Sequence, residues 1–223
     1  CMAKHLSHSG LSPQKITVIP NWPDHELIYA NDHMEEHLFT PHVESAKTYD
    51  ELLKDDQKFR VLYAGNLGRA HPFDVILDAA QMLAERNPEI EFVFVGDGEG
   101  FDKLAEERTK RGLPNVRLLP YQPNSRLRDI MQSGDLHLIS MKDEAAGCLV
   151  PCKLYAALAV SRPCLFIGPA ATETAKVLHD FKAGNILPQG NAKALARAIL
   201  HYRNNGEDWF AAHEGAAKAG QVF

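Results

Sequence analysis

Phe59-Arg-Val-Leu-Tyr-Ala64, followed at once by Gly65-Asn-Leu-Gly-Arg-Ala-His71, is the stretch on which the fold turns. The apolar, β-branched and aromatic run predicts a strand, and the two glycines behind it predict a tight turn feeding a helix. That helix is announced by Phe73, Ile76, Leu77, Ala80, Leu83 and Ala84, which recur at helical spacing. The unit then repeats. Further strands are predicted at Ile90-Glu-Phe-Val-Phe-Val95, Val116-Arg-Leu-Leu119, Asp135-Leu-His-Leu-Ile-Ser140, Pro163-Cys-Leu-Phe-Ile167 and Asn185-Ile-Leu187. Amphipathic helices are predicted over 101–112, 125–133 and 192–203. Strands alternating with helices predict an α/β domain, a Rossmann-like, doubly wound parallel sheet.

Working outward, residues 1–58 read differently from 59–223. They hold six of the eleven histidines, Pro13, Pro20, Pro23 and Pro41, and one short strand-like run, Lys15-Ile-Thr-Val-Ile-Pro20. We read 1–58 as a linker with a remnant of a preceding region, and 59–223 as the domain. The opening Cys-Met-Ala-Lys-His lacks the apolar core of a signal peptide and reads as cut from a longer chain.

Composition narrows the function. The 223 residues are 45% hydrophobic and 24% charged, enough to bury a core without metal or disulfide staples. Lys plus Arg number 24 against 29 Asp plus Glu, for a net charge of -5, and no basic run interleaves with aromatics. A nucleic-acid surface is disfavoured. No apolar stretch approaches the roughly 20 residues that span a bilayer. Four cysteines, Cys1, Cys148, Cys152 and Cys164, suggest no disulfide framework, so a reducing cytoplasm is expected.

In an open sheet of this kind, ligands bind at the carboxyl ends of the strands, where helix N-termini converge. The segments there are Gly65 to His71, Gly96-Asp-Gly-Glu-Gly100, Pro120-Tyr-Gln-Pro123, Met141 to Pro151, and Gly168 to Glu173. In the first, backbone amides and the forked donors of Arg69 suit a diphosphate, beside His71, and the alternative is a plain turn with an exposed arginine. The second lacks the sixth-position glycine of the dinucleotide fingerprint, where Phe101 stands, and its two acids would repel a phosphate. It is read as a close-packed turn at the rim of the site. Val150-Pro-Cys-Lys-Leu-Tyr155 is read as opening a helix with Pro151 in its first turn and Lys153 close behind, against the helix dipole, a conflict that an anion would repair.

Other chemistries fit less well. His33-Met-Glu-Glu-His37 has the spacing of an inverted zinc-protease motif, but Asn31, Asp32 and Pro41 hem it into barely two turns. No metal is expected there. Cys148 and Cys152 would share a helix face as buried small side chains, with no partners to complete a metal site. His137, inside an apolar strand, is expected as a satisfied core histidine. A nucleophile elbow and a Walker phosphate loop are both missing.

Read in order, these segments resemble the C-terminal half of a GT-B glycosyltransferase of the family 4 type. The likeness rests on Val18-Ile-Pro-Asn-Trp-Pro-Asp24, Tyr63 to His71, Phe92-Val-Phe-Val-Gly-Asp-Gly98, Asn115-Val-Arg-Leu-Leu-Pro-Tyr121, Asp135-Leu-His-Leu, Val150 to Tyr155 and Ala159-Val-Ser-Arg-Pro163. It looks closest to bacterial surface-polysaccharide enzymes. The resemblance implies a nucleotide-sugar donor, commonly a UDP-sugar, no bound divalent metal, and a saccharide or lipid-linked acceptor held by a separate N-terminal domain. It implies a cytoplasmic enzyme at the inner membrane face, and it suggests a retained anomeric configuration.

Carried onto this chain, the resemblance places Gly65, Asn66, Gly68, Arg69 and His71 by the donor diphosphate and Tyr121 and Pro123 by the base. It places Pro151, Lys153, Leu154 and Tyr155 at phosphate or ribose. The family's paired glutamates fall near Cys148 and Ala156, neither acidic, so Glu144 or Glu173 is expected to supply a carboxylate. Two other readings fit the same elements: a sugar-nucleotide epimerase of similar build, and a domain that has lost donor affinity and serves as a scaffold.

Overall fold

The computed structural model describes residues 2–19, 21–23 and 57–223. The His33 to His37 motif lies outside them. Six strands are described: β1 (Phe59–Ala64), β2 (Ile90–Val95), β3 (Val116–Leu119), β4 (Leu136–Ser140), β5 (Cys164–Ile167) and β6 (Gly184–Leu187). The helices are α1 (Met2–His8), α2 (Asp74–Ala84), α3 (Glu99–Arg111), α4 (Leu127–Ser133), α5 (Lys153–Ala159), α6 (Glu173–Phe181), α7 (Ala192–Asn204) and α8 (Gly206–Gly220).

All strand pairs are parallel, in the order β3-β2-β1-β4-β5-β6. The chain winds outward from β1 in one direction, then returns to lay β4 on the other side of it. That reversal puts a topological switch point between β1 and β4, where open α/β sheets form their ligand crevice.

Helices cover both faces, so the strands are buried on both sides and read as continuous apolar runs. Alternate residues of each strand point to opposite faces. Val61, Tyr63, Phe92 and Phe94 pack with α2 and α7 residues such as Leu77 and Ile199. On the other face Ile139, Met141 and Phe166 pack with Leu154 and Leu158 of α5 and Leu178 of α6. The acid in β2 is matched across the sheet. Glu91 accepts from Arg117 of β3 at 2.9 Å and lies 3.7 Å from Arg60 of β1.

The predicted strands and helices are present, with ends shifted by one to a few residues, and three readings need correction. The described part of the strand-like run, Lys15 to Ile19, forms no strand: Pro13–Lys15 is a turn of 3-10 helix closed by the Ile16 amide on the Pro13 carbonyl at 3.1 Å, and Val18 and Ile19 are exposed. Pro151 is not in the first turn of α5, because Cys152 is its N-cap and Lys153 its first residue. Cys148 and Cys152 are exposed rather than buried, since the segment between them is a loop and not a helix. An element that the sequence reading missed is α8, which packs on α5 and α6.

Candidate functional site at the β1/β4 switch point

The loop behind β1 is fastened on both sides. Toward β2, Gly65 N donates to Val95 O and Leu67 N to Asp97 O, both at 2.8 Å, and Gly100 N donates to Leu67 O at 2.9 Å. Toward β4, Lys142 N donates to Ala70 O at 2.9 Å, and His71 Nδ1 lies 2.6 Å from Ser140 O. A carbonyl can only accept, so His71 Nδ1 carries the proton and its Nε2 keeps a lone pair in the neutral form. Burial lowers the His71 pKa, and the Lys153 charge pushes the same way against the Ser140 bond.

Glycine is required where two of these loops meet. Gly65 has φ 110° and Gly98 φ 119°, the left-handed region that other residues enter at a cost. A side chain at Gly98 would run into Asn66 Oδ1 and the Leu67 backbone. The Gly96 to Gly100 turn is thus packed against the first loop, as its glycine content suggests.

Lys153 closes the crevice from the β4 side. Its Nζ donates to Asn66 O at 3.0 Å and sits 4.9 Å from the centroid of the Tyr63 ring. A Cβ added at Gly65 would lie 3.3 Å from Lys153 Cε, so the missing side chain leaves room for the lysine stem. Burial lowers the Lys153 pKa, opposed by the nearby Cys152. The Cys152 thiol is also within electrostatic reach of Tyr121, which is half exposed and faces the Asp97 charge as well.

Arg69 is engaged elsewhere. Its Nε and Nη2 donate to the two carboxylate oxygens of Glu99 at 2.8 and 3.1 Å, which raises the arginine pKa and lowers that of the glutamate. The side chains are 85% and 55% exposed, so water screens the pair and an incoming anion can displace Glu99 at little cost. The crevice is therefore less electropositive than Arg69 and Lys153 by themselves would make it.

The structure brings Gly65, Asn66, His71, Lys153 and Tyr121 to one edge. It leaves Gly68 in open space and Arg69 on the rim. Pro123 only precedes the 3-10 turn Asn124–Arg126, and Pro151 is buried. Leu154 and Tyr155 do not face the crevice. Leu154 is wholly buried, Tyr155 packs edge-on against Phe223 at 5.1 Å, and their amides bond Pro151 O and Cys152 O. Glu173 heads α6, near enough to Tyr155 that its charge adds to burial in raising the phenol pKa. Sequence reasoning missed Tyr63 and Glu99. The order of the loops held the signal for Glu99, because loops behind adjacent strands are neighbours and an arginine in one seeks an acid in the other.

Residues 45–218 match the model of the family described as glycosyl transferases group 1. The chain belongs to that family. Over 180 residues it is 28% identical to a protein of Escherichia coli K12 named as a colanic acid biosynthesis glycosyl transferase, WcaI, covering 81% of this chain and 42% of that one. It is 26% identical over 137 residues to a Pseudomonas aeruginosa protein named as a glycosyltransferase, WbjE, covering 61% and 34%. The fold is shared with WaaG, a glycosyltransferase involved in lipopolysaccharide biosynthesis, at a TM-score of 0.73 and 17% identity over all of this chain and 56% of that one. It is shared too with Anabaena HepE crystallised with UDP-glucose, at a TM-score of 0.69 and 19% identity over 99% and 56%. The chain spans about half of these structures and less than half of the two relatives.

Among the described residues no helix is long and apolar enough to cross a membrane, and no group of three or more metal-ligating side chains comes together.

Proposed function

We propose that residues 59–223 form the donor-binding unit of a glycosyltransferase that passes a sugar from a nucleotide-sugar, a UDP-sugar, to a saccharide or lipid-linked acceptor. Residues 1–58 are its link to the acceptor-holding part of the protein. The observation that carries this reading is the Lys153 ammonium held on the Asn66 carbonyl across the β1/β4 switch point, in a chain of this family. As the glycosidic bond breaks, the leaving nucleoside diphosphate gathers negative charge. Lys153 and the amides of Asn66, Gly68, Arg69 and Ala70, which take no part in fastening the loop, stabilise it, and Arg69 joins them by exchanging Glu99 for phosphate. Charge is thus met by side chains and amides, with no divalent metal in the scheme. Tyr121 borders the base. Glu144 or Glu173, the latter close enough for its charge to act on Tyr155, supplies the carboxylate that the missing acid pair would give. The exposed free thiols of Cys148 and Cys152 suit a reducing cytoplasm.

Calorimetric titration with UDP, GDP and their sugars tests the reading. Saturable binding of one nucleotide, weakened about tenfold or more in Lys153→Ala and less in Arg69→Ala, is expected. Absence of binding to every nucleotide favours the scaffold, and conversion of a sugar nucleotide without an acceptor favours an epimerase.

A further inference from the structure

The cluster around Lys153 contains a residue to which the donor-site reading gives no role. Tyr63 is the penultimate residue of β1, wholly buried, with its ring held 5.6 Å from that of Phe94. Its hydroxyl donates to Asn66 O at 3.2 Å, the same carbonyl that accepts from Lys153 Nζ at 3.0 Å, while the ammonium lies over the Tyr63 ring. The tyrosine, the ammonium and the carbonyl form a closed triangle: ring face to ammonium, ammonium to carbonyl, and hydroxyl to carbonyl are each favourable contacts. We propose that Tyr63 is a positioning residue that fixes the Lys153 ammonium and the Asn66 carbonyl together, so that the crevice presents a pre-set cation to the diphosphate.

The physical gain is pre-organisation. A lysine stem has four rotatable bonds, and an anion that must order it loses affinity in doing so. Here the stem is already held between Gly65 and the Tyr63 ring. An ammonium has three N–H donors and Asn66 O takes one, so the others remain for phosphate oxygens. The buried ring cannot itself touch the nucleotide, so Tyr63 acts through Lys153 alone.

This inference rests on the donor-site reading, and its test separates the two. In the 223-residue chain with labelled lysines, the Lys153 ε-methylene resonance, assigned through Lys153→Arg, is expected upfield of the other lysines because of the Tyr63 ring current. Tyr63→Phe keeps that shift and weakens UDP binding about two- to threefold. Tyr63→Leu abolishes the shift and weakens UDP binding about tenfold. In a Lys153→Met background, Tyr63→Leu has no further effect on UDP, an outcome that a merely structural role would not give. Should Tyr63→Leu fail to fold, the wild-type shift and the Tyr63→Phe affinity decide. An unshifted Lys153 resonance, or an equal loss of UDP affinity with and without Lys153, overturns the proposal while leaving the donor site standing. Failure of the wild-type chain to bind UDP overturns both.

Discussion

His137 shows how a single residue ties the fold to pH. It is 3% exposed inside β4, with Nε2 on Met131 O at 2.8 Å, and burial pulls its pKa down to about 4. The native state therefore holds the ring neutral where the unfolded chain, with a pKa near 6.5, takes up a proton. The stabilising contribution is complete above pH 6.5 and is lost as the pH falls toward 4, by up to about 3 kcal/mol. Urea denaturation between pH 7 and 4.5 should show stability falling more steeply for the wild-type chain than for His137→Gln. Equal slopes would place the histidine elsewhere. An apolar strand with one imidazole in it made this residue legible from sequence. Arg69 was legible only in part. Its position behind β1 could be read, but its partner Glu99 lies 30 residues away, and only the pairing of β1 with β2 brings them together.

At the scale of elements, the glycines set how closely segments approach. Gly98 caps α3 in the left-handed region against Asn66 and Leu67. Gly98→Ala is expected to cost roughly 2 kcal/mol from backbone strain, with further loss from the clash, and to weaken UDP binding by moving the first loop. Chemical denaturation and titration of the same variant measure both. Gly220 lies where α8 crosses the end of α5, and a Cβ there would meet the Leu158 carbonyl. Gly220→Ala should cost about 1–3 kcal/mol by overpacking, read as a lower urea midpoint at unchanged slope. The strands and central helices could be read because their periodicity is local. By contrast α8 carries alanines, glycines and scattered polar residues, and its buried side is made of Ala212, Gly215, Ala216 and Ala219. Small residues of that kind bury little area and leave a weak apolar period.

For the whole molecule, winding order decides function. Placing β4 beside β1 brings a loop from residue 65 and a helix start at residue 153 within one hydrogen bond of each other, although 87 residues separate the bonded pair. The alternation of strands and helices made a doubly wound sheet legible, and with it the edge on which a ligand sits. It could not tell which residues on that edge face inward. Leu154 and Tyr155 share a segment with Lys153, yet the turn of α5 sends them into the core. On the proposed function, the β1 and β4 loops together hold a nucleoside diphosphate. A crystal structure of the chain soaked with UDP tests it most directly. Diphosphate density is expected within hydrogen-bonding distance of Lys153 Nζ and of the amides of Asn66, Gly68, Arg69 and Ala70. Diphosphate bound away from that switch point, with Lys153 still paired only to Asn66, would contradict it.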